Sequence, residues 1–231
     1  MVARASSSPV NSVVPKIAEH AFLILLATGV VSCRPAPPSR AADSTPRDTS
    51  SEVLGLALSP PKEKPDFTLT DTQGRPFDFR KETDGYVTLL FFGYTHCPDV
   101  CPVHMANIAQ TLKNMPAPDA SRIKVVFVTN DPERDTATRL RGWLDAFDPT
   151  FVGLLGTRAE ISAAEAAARI PPSAKDTTSG AGTGGYLVGH AAYVYACTPD
   201  NICRFLYPFG FRQVNWAHDL PLLVAWPNAP K

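Results

Sequence analysis

The sequence predicts an α/β fold in which a largely parallel central sheet is flanked by helices and preceded by an N-terminal β-hairpin. Strand-like and helix-like segments alternate along residues 86–170, which is typical of parallel strands joined by crossover helices. A hairpin pattern precedes this region, and two strands and a helix follow it. With 231 residues, the chain is long enough for one such domain and some appendages.

The first elements of this domain are a hairpin, a central strand and a helix. Apolar and polar residues alternate on either side of a turn that ends at Gly74, which predicts a hairpin over residues 67–79. Tyr86–Tyr94 is a nearly unbroken run of β-forming residues, as expected for a strand covered on both faces. A helix is predicted over Val100–Met115, with Asp99 as its N-cap.

The remaining elements continue the alternation and end in an antiparallel pair and a helix. They are the strand Ile123–Thr129, the helix Thr136–Phe147, the strand Phe151–Leu155, the helix Ala159–Ile170, the loop Pro171–Gly185, the strands Ala192–Cys197 and Cys203–Tyr207, and the helix Val214–Ala225. This order is the thioredoxin arrangement. We therefore expect a thioredoxin-like fold with an N-terminal β-hairpin and a Gly/Ser-rich loop insertion.

The N-terminal region has the pattern of a targeting signal. Ala21–Val31 is an apolar run of roughly eleven residues, whereas a bilayer-spanning helix needs about twenty. The residues that end at Cys33 resemble the lipobox of bacterial lipoproteins, in which the cysteine carries the lipid. We expect residues 1–33 to be a lipoprotein-type signal peptide and Cys33 to be lipidated; an ordinary cleaved signal or a marginal membrane anchor is the alternative. Each places the domain outside the cytoplasm, in the periplasm or at the outer face of the cell membrane.

Composition separates a tether from the domain and excludes one class of partner. Residues 34–64 are rich in Pro, Ser, Ala and charge without an apolar period, which predicts a disordered tether. The folded domain is then expected over residues 65–226. Because 22 basic residues balance 22 acidic ones, no basic field is available to hold a nucleic acid.

Cys97 and Cys101 stand where the central strand ends and the next helix begins. The helix N-terminus stabilises a thiolate, and this spacing allows the pair either to form a disulfide or to bind one ion. Cys97 precedes the helix and is the expected nucleophile. A permanent structural disulfide and buried core thiols are the alternatives; the polar neighbours Thr95, His96 and Asp99 argue against burial. The C-x3-C spacing differs from the C-x2-C of thioredoxin-like oxidoreductases, and thiolates with an added imidazole suit Cu(I) or Cu(II).

One histidine is placed to complete such a site. His190 stands just before the first strand of the C-terminal hairpin, and in thioredoxin folds the segment entering that strand abuts the cysteine pair. The other four are expected elsewhere: His20 in the signal region, His96 pointing away from the sulfurs, His104 partly exposed on its helix, and His218 in capping or packing. For His104, three residues after Cys101 on the same helix, an approach to the site is the alternative.

Three motifs together resemble the Sco/SenC family of copper proteins. Gly93–Pro102 matches the family pattern G-[FY]-T-x-C-P-D-V-C-P, and Asp131–Asp135 matches D-P-x-R-D. His190 occupies the position of the family's distal histidine. The resemblance implies that Cys97, Cys101 and His190 bind Cu(I) or Cu(II). It also implies delivery of that copper to the binuclear copper site of cytochrome c oxidase.

The resemblance extends to residues around the ligands, where the chain also departs from the family. Asp131, Arg134 and Asp135 match its acidic loop near the site; a turn and the N-cap of the next helix are the alternative explanation. Gly189 and Ala191 stand where the family usually has Asp and Ser around the histidine. Because such neighbours orient ligating imidazoles, we expect weaker Cu(II) binding than in typical relatives.

A second pair of cysteines is expected to be structural. Cys197 and Cys203 flank a turn-forming pentapeptide between two strands, so they should face each other across the hairpin and form a disulfide. A second metal site is the alternative, but neither cysteine has a histidine or a helix start beside it.

Three functions fit these residues. The first is a metallochaperone whose partners are the copper-bearing subunit of cytochrome c oxidase, other periplasmic copper carriers or thiol-disulfide proteins, and the membrane through a lipid anchor. The second is a thiol-disulfide reductase that keeps the oxidase's copper ligands reduced through Cys97 and Cys101. The third is a peroxiredoxin-like peroxidase, for which a Thr is expected three residues before the reactive cysteine; Tyr94 occupies that position.

Overall fold

The computed structural model describes residues 52–178 and 185–226. The signal peptide predicted for residues 1–33, the lipidated Cys33, most of the predicted tether and the centre of the predicted Gly/Ser-rich loop lie outside this range. Of the helices it describes, none has the length and apolar character needed to cross a bilayer.

The described residues form strands and short to medium helices that alternate along the chain. In chain order they are β1 (Leu56–Glu63), β2 (Thr68–Asp71), β3 (Pro76–Asp78), α1 (Phe79–Glu82), β4 (Val87–Gly93), α2 (Val100–Asn114), α3 (Ala117–Ala120), β5 (Ile123–Thr129), α4 (Ala137–Asp145), β6 (Val152–Leu155), α5 (Arg158–Ala167), β7 (Ala174–Asp176), β8 (Leu187–Gly189), β9 (Tyr193–Thr198), β10 (Ile202–Pro208) and α6 (Gln213–Val224).

Eight of these strands form one sheet in the order β1-β10-β9-β4-β5-β6-β2-β3, while β7 and β8 pair separately. β5 runs parallel to both β4 and β6, and β9 is antiparallel to β4. The arrangement β10-β9-β4-β5 with its helices is the core of a thioredoxin-like fold, so the predicted fold class is confirmed.

The core lies on both faces of β4, which is why its sequence is apolar throughout. All seven of its residues are buried. Leu89 and Phe91 pack with residues of α2, α4 and α6, whereas Leu90 and Phe92 face the side covered by α1 and α5. Alternate residues of a strand point to opposite faces, so the end of β4 is held rigidly from both sides. The cysteine motif begins at that end.

The predicted boundary of the tether at residue 64 is wrong for its last part. β1 pairs antiparallel with β10, and Asp219 of α6 accepts hydrogen bonds from the backbone amides of Leu54 and Gly55 at 3.0 and 2.9 Å. β1 thus covers an edge that β10 would otherwise expose. Its two prolines, Pro60 and Pro61, hide the strand from sequence patterns but are tolerated in an edge strand.

The predicted loop Pro171–Gly185 also differs in its first part. Residues Ala174–Asp176 form β7, which pairs with β8 in a two-stranded antiparallel hairpin. This hairpin forms a sheet separate from the eight-stranded one and ends at Gly189, directly before His190. It therefore leads directly into one of the predicted site residues.

Candidate metal centre

Cys97 lies in the turn between β4 and α2, Cys101 lies in the first turn of α2, and both thiols are buried. Cys97 is 9% exposed and Cys101 is 0% exposed, and the backbone amide of Cys101 donates a hydrogen bond to Cys97 Sγ at 3.5 Å. The expectation that their polar neighbours keep them out of the core is therefore wrong, since both sulfurs join the apolar cluster. Asp99 occupies the N-cap position of α2, but its side chain makes no capping hydrogen bond.

The imidazole of His190 lies beside the two sulfurs, although His190 is 89 residues from Cys101 in the chain. Its Nε2 atom lies 3.6 Å from Cys101 Sγ, and the donor atoms of Cys97, Cys101 and His190 all lie within 4.8 Å of one another. Nδ1 lies 3.2 Å from the carbonyl oxygen of Ala191, so a proton on Nδ1 leaves the Nε2 lone pair facing the sulfurs. The structure thus brings together the three side chains that the sequence singled out. Two sulfurs and one imidazole nitrogen form a donor set suited to a soft or borderline metal ion.

The two thiols differ sharply in acidity. A hydrogen bond from the Cys101 side chain is the largest influence on Cys97 and lowers its pKa to about 3. Burial opposes this shift, and a hydrogen bond from His190 adds to it. Burial raises the pKa of Cys101 well above its ordinary value, and the hydrogen bond to Cys97 raises it further. The metal-free reduced site is therefore a Cys97 thiolate that accepts a hydrogen bond from a Cys101 thiol. This asymmetry agrees with Cys97 as the nucleophile of the pair.

This difference predicts the pH dependence of thiolate absorbance. Since a thiol with a pKa of about 3 stays ionised above that pH, the reduced protein should keep a constant ultraviolet thiolate band from pH 7 down to about pH 4.5. An ordinary thiol would show almost none over that range. Cys97→Ser should remove the band, and Cys101→Ala should shift its titration upward, because the largest stabilising hydrogen bond is lost. A band that first appears above pH 8 would contradict the assignment.

Asp135 holds the turn that precedes Cys97. Its buried carboxylate accepts hydrogen bonds from the Thr95 backbone amide at 3.0 Å and from the Thr129 hydroxyl at 2.6 Å. The N-cap of α4 is Thr136, whose side chain accepts from the Arg139 amide, so the alternative explanation of Asp135 as that N-cap is wrong. Asp135 thus ties the ends of β4 and β5 together beside the sulfurs.

Asp131 and Arg134 contact a residue that the sequence did not single out. Asp131 is fully buried, pairs with Arg134 through Nε, and accepts a hydrogen bond from the Tyr186 hydroxyl at 2.7 Å. The Arg134 guanidinium lies 3.6 Å from the centre of the Tyr186 ring. No sequence pattern around Tyr186 indicates this contact, because its partners lie in a different loop.

The remaining described histidines do not join the sulfurs. His96 is partly exposed and lies 3.7 Å from Asp135, and His218 pairs with Asp219 at 2.7 Å. His104 is 1% exposed, so its predicted partial exposure is wrong; burial lowers its pKa to about 4 and keeps it neutral. The spacing of Cys101, His104, Met105 and Ile108 along α2 is that of one buried helix face, a signal that could have revealed this.

Cys197 and Cys203 form a disulfide across the β9–β10 hairpin. Both are buried, and their pairing leaves neither sulfur free as a metal ligand. The two free cysteines of the described residues are Cys97 and Cys101.

The fold and the site together define a class of protein. This is a thioredoxin-like domain with two thiols at the start of a helix and a histidine beside them. Such a site can bind a metal ion or exchange disulfides. The family model described as SCO1/SenC matches residues 57–224. The chain therefore belongs to the SCO1/SenC family, and the resemblance read from its motifs is confirmed.

Individual relatives agree with this membership. The mouse mitochondrial SCO2 homologue is 34% identical over 148 residues, covering 62% of this chain and 54% of that protein. The chain thus spans about half the length of that curated relative. Bradyrhizobium japonicum ScoI, solved with copper bound, is 34% identical with a TM-score of 0.60, covering 69% of this chain and 98% of that one. Apo Sco1 from Thermus thermophilus is 32% identical with a TM-score of 0.64, covering 73% of this chain and 95% of that one.

Proposed function

We propose that this protein is a metallochaperone that binds copper through Cys97, Cys101 and His190 and delivers it to the binuclear copper site of cytochrome c oxidase. The observation that carries the proposal is the convergence of their three donor atoms within 4.8 Å. Support comes from relatives of similar fold that have been solved with copper bound. Thiolates favour Cu(I), and the imidazole adds a ligand that also suits Cu(II).

The acidity of the two thiols determines what copper binding requires. Cys97 is already ionised at neutral pH, so it can bind without losing a proton. Cys101 must release its proton when its sulfur becomes a ligand. Because the three ligands leave copper open to a further donor, a thiolate or imidazole of the recipient can enter before the ligands of this protein leave.

The site is proposed to work outside the cytoplasm, on a domain anchored to the membrane by lipid on Cys33. The apolar run and lipobox-like residues before Cys33 favour this location. The disulfide between Cys197 and Cys203 is also typical of oxidising compartments. The partners would then be the copper-bearing oxidase subunit and other periplasmic copper carriers.

A second candidate function is favoured by the contrast between the thiols. In a thiol-disulfide reductase, the Cys97 thiolate attacks a disulfide of the oxidase's copper ligands and forms a mixed disulfide, releasing one partner thiolate. Cys101 then loses its proton and attacks Cys97 Sγ, which releases the second partner thiolate and leaves a Cys97–Cys101 disulfide. The partner gains two electrons and this protein loses two. The low pKa of Cys97 and the buried, protonated Cys101 suit these two roles.

Copper titration of the reduced full-length protein tests the metal site. We expect about one copper per chain, a thiolate-to-Cu(II) absorption, and release of about one proton per copper at neutral pH, chiefly from Cys101. The double variant Cys97→Ser/Cys101→Ser should lose both the absorption and tight Cu(I) binding. Absence of saturable copper binding by the reduced protein would refute the proposed site.

Complementation in cells separates delivery from reduction. Cells that lack the protein should have low cytochrome c oxidase activity, and added copper should restore part of it if the role is delivery. If the role is reduction, a membrane-permeant thiol should restore the activity and copper should not. Unchanged oxidase activity in such cells would contradict both functions.

A further inference from the structure

The strand that precedes His190, β8, is not part of the main sheet. His190 follows β8 directly, and β8 pairs with β7 in a separate two-stranded sheet. An isolated two-stranded hairpin is only marginally stable in water. On its N-terminal side His190 is therefore positioned by contacts between this hairpin and the rest of the domain, whereas on its C-terminal side the chain enters β9 of the main sheet at Tyr193.

Tyr186, immediately before β8, makes three contacts with the loop that follows β5. Its hydroxyl donates to Asp131 Oδ1 at 2.7 Å, its ring lies under the Arg134 guanidinium at 3.6 Å, and its carbonyl oxygen accepts from Arg134 Nη1 at 3.0 Å. Asp131 and Arg134 are themselves paired. Burial and the hydrogen bond to Asp131 raise the pKa of Tyr186 to about 12, so its hydroxyl remains a donor at neutral pH.

The other strand of the hairpin docks on the same loop. Lys175 of β7 pairs with Glu133, and its Nζ lies 5.0 Å from the centre of the Tyr186 ring. Both strands are therefore attached to residues 131–135. Asp131 is fully buried two residues after the end of β5, so it fixes this part of the loop to the core.

The same loop also reaches the imidazole through Tyr94. The Arg134 guanidinium lies 5.7 Å from the Tyr94 ring, and that ring meets the His190 ring edge-on with centroids 5.7 Å apart. Burial raises the pKa of Tyr94, and a hydrogen bond with the backbone of Val188 opposes the rise, so Tyr94 also contacts β8. The ring of His190 thus contacts Tyr94, and its backbone follows directly from the β7–β8 hairpin.

This chain depends strongly on such an arrangement, because the neighbours of His190 have no polar side chains. Gly189 and Ala191 offer the ring only backbone groups, of which the Ala191 carbonyl oxygen lies 3.2 Å from Nδ1. We propose that Tyr186, clamped by Asp131 and Arg134, is a positioning residue that orients the β7–β8 hairpin so that His190 reaches the two sulfurs. The proposal rests on the proposed copper site, since its consequence for function is expressed through His190.

Tyr186→Phe tests the clamp because it removes one hydroxyl and keeps the ring. In the full-length protein we expect Cu(II) affinity to fall by about 10-fold, the usual lower range for loss of a group that supports a ligand. The thiolate-to-Cu(II) absorption should shift or weaken, while Cu(I) binding by the two sulfurs should change little. In the copper-free protein, the amides of residues 187–190 should exchange hydrogen faster.

Tyr195→Phe is the matched control. Its hydroxyl accepts a hydrogen bond from Lys62 at 3.3 Å in another part of the sheet, so the same change should leave Cu(II) affinity, the absorption and exchange at residues 187–190 unchanged. If the wild-type protein binds copper and Tyr186→Phe matches it in all three readouts, the clamp is refuted while the copper site stands. If the wild-type protein binds no copper, the function fails, and hydrogen exchange in the copper-free variant still decides the clamp.

Discussion

His190→Ala should abolish the thiolate-to-Cu(II) absorption of the reduced protein and lower its Cu(II) affinity by more than about 100-fold, because loss of a mere supporting group already costs about 10- to 100-fold. Cu(I) affinity should fall much less, since the thiolates of Cys97 and Cys101 prefer Cu(I). The imidazole is partly exposed and follows a short strand, so the fold should survive its removal. Parallel titrations with Cu(II) and Cu(I) measure the contrast.

His218→Ala provides the control for removal of an imidazole. His218 lies on α6 and pairs with Asp219, so this variant should keep the absorption and both affinities. If His190→Ala retains the wild-type absorption, His190 is not a ligand. The protein would then be better described as a dithiol redox protein than as a copper carrier with an imidazole ligand.

Gly93→Ala should lower both the stability of the fold and the copper affinity of the site. A Cβ atom at Gly93 would lie 2.7 Å from Cys101 Sγ and 3.0 Å from the Phe127 ring, too close for either. Cys101 is fully buried, so its sulfur has little room to move away. We expect the free energy of unfolding to fall by about 1–3 kcal/mol, as for overpacked cores. Copper affinity should fall as well, because the sulfur is displaced from His190.

Gly142→Ala is the matched glycine control on α4. Apart from its chain neighbours and the backbone of its own helix, a Cβ atom there would have no heavy atom within 4 Å, so alanine should raise the free energy of unfolding by about 0.5–1 kcal/mol through its better helix propensity. Its copper affinity should equal that of the wild-type protein. Urea unfolding and copper titration of both variants measure the difference. Equal stability and affinity of Gly93→Ala and the wild-type protein would contradict the packing described around Cys101.

The sequence predicts those helices and strands whose secondary structure depends on residues nearby in the chain. β4 was predicted as a strand covered on both faces, and all seven of its residues are buried. The start of α2 at Val100 was also predicted, which places both cysteines at a helix N-terminus. Local apolar patterns and turn residues carry this information, because they reflect the period of each element and its ends.

The parts that could not be predicted depend on contacts between distant segments. β1 is a strand because β10 offers it an open edge, and its own prolines argue against that state. Tyr186 gains its role from Asp131, 55 residues away in the chain. His104 is an intermediate case, since its spacing with Met105 and Ile108 indicated burial although its polarity did not.

The sequence by itself determined the order of the elements, the placement of Cys97 and Cys101 at a strand-to-helix junction and, with the thioredoxin topology, His190 as their partner. Only the tertiary structure decided that both sulfurs are buried, that the pKa of Cys97 is lowered and that of Cys101 raised, and that Tyr186 contacts Asp131 and Arg134. The physical reason is that burial, acidity and orientation arise from packing between segments far apart in the chain, which local patterns do not encode.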